Sequence, residues 1–172
     1  MMEEHRLHGC FIGPDDTDEA VIRRDFIDKL IKTKGFRPED LDTRLTFEYT
    51  GDGQSCQGVI DVVIRPEGRL AAAARCAPGS VVSRQRQALA AVRLAFDRPP
   101  ALSLVYNGDD VQVTLTADGR AVGDDWDAVP DRRAALDWTD GDRPTESDAG
   151  RKAKEAKIFQ AFETFKCGCD PG

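Results

Sequence analysis

The sequence predicts a mixed α/β fold in the order helix, three strands, helix, two strands, helix. Three observations predict it. An apolar stripe of helical period lies between capping signals near the N-terminus; two strand pairs are joined by Asp-Gly and Asn-Gly turns; and an alanine- and arginine-rich helical stretch separates those pairs.

The first helix opens at Thr17, with Asp18 and Glu19 in its first turn. Ile22, Phe26, Ile27, Leu30 and Ile31 recur at helical spacing until Gly35 stops it. From Thr43 to Tyr49, Leu45, Phe47 and Tyr49 alternate with polar residues. After Gly51-Asp52-Gly53 a second strand runs from about Val59 to Ile64, so the pair reads as a hairpin. Pro66-Glu67-Gly68 is the next turn, and the small apolar run Leu70 to Cys76 reads as a buried third strand.

Ser80 caps a helix from about Val82 to Phe96, with Val82, Leu89, Val92 and Phe96 as its apolar face and Pro99-Pro100 beyond its end. Leu102 to Tyr106 is a short strand. Asn107-Gly108, lengthened by Asp109-Asp110, turns it into a returning strand that carries Val111, Val113 and Leu115. The last helix, roughly Ala149 to Lys166, presents Ile158, Phe162 and Phe165 on one face. The chain thus divides into a polar leader (1–16), an α/β core (17–116), an acidic Asp/Gly-rich segment (117–150), and a C-terminal helix with a Cys-Gly-Cys tail (151–172).

At 172 residues and 40% apolar content the chain can bury one core without staples. It has no run of eighteen apolar residues and no basic flank leading into an apolar stretch at its start, which predicts a cytoplasmic protein without a membrane span. The five cysteines are scattered and odd in number, as expected of reduced thiols; Cys167 and Cys169 fall short of a structural zinc set, and His5 and His8 are remote from them.

A net charge of −7 argues against avid nucleic-acid binding. The charge is unevenly spread, however: residues 62–98 carry 7 basic and 2 acidic side chains, whereas 107–150 carry 4 and 12. Arg75, Arg84, Arg86 and Arg93 are the candidate phosphate-facing residues of the basic stretch, although at most two of the last three share a helix face. A solvated face is the simpler reading. Trp126 and Trp138 read as packing anchors for the acidic segment.

Four stretches occur in an order that resembles a known family. They are Arg24-Asp-Phe-Ile-Asp-Lys-Leu-Ile-Lys-Thr-Lys-Gly35, Val59-Ile-Asp-Val-Val-Ile64, Ala77-Pro78-Gly79 and Leu104-Val-Tyr-Asn-Gly108. Over residues 19–115 the chain resembles the N-terminal domain of type I restriction enzyme R subunits. That resemblance implies a restriction-endonuclease-like fold: a mixed β-sheet flanked by helices, with the C-terminal helix appended. It also implies an Asp…Glu-x-Lys site, in which two carboxylates hold a divalent cation and a lysine assists.

The departures are as informative. Asp61 stands at the aspartate position, but Ala74 and Cys76 stand where the glutamate and lysine belong, with Arg75 between them; Gln87 matches the family's glutamine. A one-residue shift would put Arg75 at the glutamate position, and neither register restores the triad. Asp61 and Gln87 are therefore remnants, and Asp61 pairs naturally with Arg75. Asp61 would be a metal ligand only if a site survives. No cofactor is expected, save Mg²⁺ or Mn²⁺ should nuclease activity persist.

Three functions compete. The first is a catalytically inactive nuclease-fold module that binds nucleic acid or protein. The second is a working metal-dependent DNA endonuclease whose lost ligand is replaced by Glu48 or Glu19. The third is an acidic, DNA-mimicking or partner-docking module. Candidate partners are DNA, a protein, or a second copy of the chain joined through the C-terminal helix. No Gly-Lys-Ser/Thr phosphate loop is present, so ATP use is not implied.

Overall fold

The computed structural model describes residues 17–139 and 148–164. Its elements, in chain order, are α1 (Asp18–Lys34), β1 (Leu41–Gly51), β2 (Gln54–Ile64), β3 (Ala72–Cys76), α2 (Val81–Ala95), β4 (Leu102–Tyr106), β5 (Val111–Leu115), β6 (Ala121–Gly123), α3 (Arg132–Asp137) and α4 (Ala149–Thr164). The strands form one six-stranded sheet in sequential order. All neighbours are antiparallel except β3 and β4. A parallel pair needs a crossover, and α2 supplies it.

The sheet has two covered faces. Ala72, Ala74 and Cys76 of β3 pack with Phe26 and Leu30 of α1, whereas Ala73 packs with Ala91 and Val92 of α2 and Phe159 of α4. Period-two alternation in a run of small residues therefore splits one strand between two cores. Alanines allow this because helices lie close on both sides.

Local chemistry fixes the ends of the elements. The Thr17 hydroxyl accepts from Ala20 N at 3.1 Å. At the other end of α1, Gly35 takes the left-handed φ of 72° and Phe36 N–H returns to Leu30 O. Asp52 and Gly53, with φ of 50° and 76°, make the tight turn between β1 and β2. At the second hairpin Asn107 Oδ1 accepts from Asp109 N and Asp110 N, so the loop is longer than two residues.

The structure departs from the expected helix phases in two places. In α2 the inward residue of the first turn is Val81, while Val82 is 67% exposed beside the Asp118–Gly119 turn. In α4 the fully buried aromatic is Phe159, with Ile158 and Phe162 only half-buried; Phe165 lies outside the described residues. Packing sets the phase of α4. Phe159 meets Phe47 and Tyr49 at ring distances of 5.7 and 5.3 Å, and Glu155 pairs with the buried Arg93 at 2.7 Å. The apolar face of α4 is thereby used within its own chain.

The described part of the acidic segment packs onto α1. Trp126 donates to Thr33 Oγ1 at 2.8 Å and stacks edge-on against Phe26, and Arg132 reaches Asp40 at 2.7 Å. Asp125 and Asp131 accept backbone N–H groups at the starts of short helical turns. Several of its aspartates thus cap local structure. The leader (1–16) and the Cys-Gly-Cys tail lie outside the described residues.

Candidate functional site

The site forms where β2 and β3 part. Their pairing ends at Val62 and Ala74, while β2 continues outward with β1. At this point the alternation of β2 slips. Ile60 packs on the α2/α4 side, yet Val62 and Ile64 pack on the α1 side. Opposite Asp61, Arg44 has a φ of 54° and drops out of the regular pairing. Asp61 therefore sits at a kink, where its Oδ2 accepts the Cys76 N–H at 2.9 Å just past the last strand pair. The carboxylate substitutes for the ladder carbonyl that this N–H would otherwise meet.

Two guanidiniums flank Asp61, Arg23 of α1 on Oδ1 and Arg75 of β3 on Oδ2, each at 3.5 Å. Arg75 also stands 3.5 Å from Glu163 of α4 and over the Phe159 ring at 5.6 Å. Glu163 is held in turn by Gln87 Nε2 at 2.6 Å. Arg75 Nη1 is buried and has no hydrogen-bond partner among the described residues. These groups border a cavity of about 320 Å³ that Arg44 and Glu19 also line.

Burial raises the Asp61 carboxyl above its usual range. Glu19 adds to that, and the Cys76 N–H and the two arginines oppose it. Burial and the Asp61 charge push the Cys76 thiol well up, so it stays a neutral, unreactive thiol.

The sequence-predicted residues are distributed unevenly around this cleft. Asp61 and Arg75 are brought together, and Gln87 reaches them through Glu163. Ala74 and Cys76 belong to the core against α1, so the β3 side chain that lines the cleft is Arg75, between the two positions the resemblance picked out. Arg93 cannot face a nucleic acid. It is 7% exposed, and its donors go to Thr116 O, Glu155 and Ala117 O at 2.9, 2.7 and 3.1 Å. Arg84 is half-buried and bonds Pro78 O at 2.7 Å.

Arg86 alone of the four candidates is exposed, and it borders a second, shallower groove of about 860 Å³ with Arg151, Lys154 and Lys157 of α4. The acids there are already engaged, Asp148 with Arg151 N and Glu155 with Arg93. Sequence reasoning missed Arg23, Arg44 and Glu163. Of these Arg23 and Glu163 carried a signal, their i+4 spacing from Glu19 and Phe159.

A divalent cation does not fit the cleft. A hard ion requires several carboxylate or carbonyl oxygens, whereas Asp61 is bracketed by arginines and Glu163 is engaged by Arg75 and Gln87. Among the described residues, no group of three His, Cys, Asp or Glu side chains is placed to hold a metal. Glu48 is exposed on β1 and is not part of the cleft lining. Nor is any described helix long and apolar enough to cross a membrane. Comparison with protein-family models, curated proteins and solved structures finds no match for the chain.

Proposed function

We propose that this chain is a catalytically inactive module of restriction-endonuclease-like type, akin to the N-terminal domain of type I restriction R subunits and retained for binding. The observation that carries this reading is Arg75, a fixed positive charge 3.5 Å from Asp61 where hydrolysis would require a cation held by carboxylates. An arginine side chain does not lose its proton in a protein, so this charge persists at every working pH. The basic groove of Arg86, Arg151, Lys154 and Lys157 favours nucleic acid as the bound partner, since its lysines are exposed and its acids are otherwise occupied.

The test is incubation of the protein and its Asp61→Ala variant with single- and double-stranded DNA in Mn²⁺ at low salt. The expected result is salt-sensitive retention of DNA without cleavage. Cleavage that disappears in the variant and with chelator would refute the proposal.

A further inference from the structure

Building on the reading of the cleft as a former metal site, we propose that it now binds a small tetrahedral oxyanion of the phosphate class directly through arginine, with no metal ion. Arg23, Arg44 and Arg75 enter the cavity from α1, β1 and β3, so positive groups converge from three sides. A planar carboxylate is matched by one guanidinium fork; a tetrahedral anion, with more oxygens, can engage several. Arg75 is the central donor. Its contacts to Asp61 and Glu163, at 3.5 Å, are longer than charge-assisted hydrogen bonds, and its buried Nη1 has no partner among the described residues. The guanidinium's hydrogen-bonding capacity is thus incompletely used, and a small rotation of Arg75 around an incoming oxygen would satisfy it.

The cavity's size limits the ligand. About 320 Å³ lies at the small end of binding pockets, enough for inorganic phosphate or a small phosphate monoester. Three carboxylates, Glu19, Asp61 and Glu163, offset the three arginines. They differ in kind, however, because a carboxylate can be neutralised and a guanidinium cannot. Burial already favours the neutral form of Asp61, and an anion beside it favours that form further. Anion binding is therefore linked to proton uptake at Asp61. The other charged or titratable groups facing it are Glu19 and Arg23 of α1, Arg44 of β1, Arg75 and Cys76 of β3, and Glu163 of α4.

The experiment is calorimetric or NMR titration of the full chain with sulfate, inorganic phosphate and a nucleoside monophosphate, in chelator at low ionic strength. Sulfate is included because it does not titrate in this pH range, so a pH dependence of its affinity reports the protein. All three ligands are expected to bind, and sulfate progressively more tightly as pH falls toward and through the raised Asp61 value. Arg75→Gln is expected to weaken binding by roughly tenfold or more. Arg44→Gln, a change at an exposed site that spares the fold, should weaken it severalfold, and Lys32→Gln on α1, an exposed position outside both the cleft and the basic groove, should leave it unchanged. Absence of binding, or binding unaffected by both arginine substitutions, overturns the inference while leaving the module non-catalytic. Binding that requires Mn²⁺ overturns the parent reading as well.

Discussion

Removing Glu155 tests whether α4 is integral to the fold and whether Arg93 is structural. Both side chains of this pair are 8% exposed, and the guanidinium also bonds Thr116 O and Ala117 O. In Glu155→Ala those carbonyls remain, but a full positive charge is left buried without its counter-ion. Loss of one partner of a buried pair costs about 3–5 kcal/mol. Glu155 Oε2 is itself buried without a partner, so its removal relieves a small penalty and the lower end of that range applies, about 3 kcal/mol. For a chain of this size each kcal/mol shifts the melting temperature by about 2–4 °C, which gives a fall of about 6–12 °C.

Thermal denaturation followed by circular dichroism measures this fall. Replacing both partners by apolar residues, as in Arg93→Met with Glu155→Leu, should recover most of the loss, because the desolvation of both charges disappears together. A Glu155→Ala protein within about 0.5 kcal/mol of the parent, or an Arg93→Ala protein of unchanged stability, would show that this pair does not hold α4 in the fold.

Two further predictions concern the cleft. The Asp61 pKa is raised in the folded state by burial, so its contribution to stability is full below the unfolded carboxyl pKa and is lost as pH rises through the folded value. Asp61→Asn, which keeps an acceptor for Cys76 N–H, should therefore gain stability relative to the parent in melting curves as pH rises from the usual carboxyl range through the raised folded value; a relative loss would mean that the arginines outweigh burial. Asp61→Ala orphans that N–H and should cost about 1–3 kcal/mol. A methyl at Gly58 would run into the Phe47 ring, which lies across the strand against Phe159. Gly58→Ala should accordingly destabilise by about 1–3 kcal/mol in denaturant titration, and an unchanged midpoint would show that the ring moves freely.

Much of the fold was legible because local chemistry dictated it. Thr17 and Gly35 bound a 3.6-period stripe, and Asp52-Gly53 and Asn107-Gly108 fit few conformations other than turns. The elements β6 and α3 were not legible, since they are only 3 and 6 residues long and the segment that carries them is held by distant partners: Trp126 on α1 and Arg132 on Asp40. In α2 the expected face held at Leu89 and Val92 and failed in the first turn, where Val81 rather than Val82 turns inward; in α4 the phase was off by one residue, because buried contacts rather than average hydropathy set the helix rotation. Asp61 was visible as a carboxylate inside an apolar strand. Arg75 was legible as a partner for Asp61, but Glu163 and the second arginine on Asp61, Arg23, joined it only through the packing of α4 and α1.

With arginine standing beside Asp61 where a divalent cation would need to sit, the protein should bind no Mn²⁺ there. Titration with Mn²⁺, monitored by the electron paramagnetic resonance of the free ion, reads this out. No stoichiometric loss of the free-ion signal is expected, and no difference between the parent and Asp61→Asn. A one-to-one site abolished by Asp61→Asn would overturn the proposal.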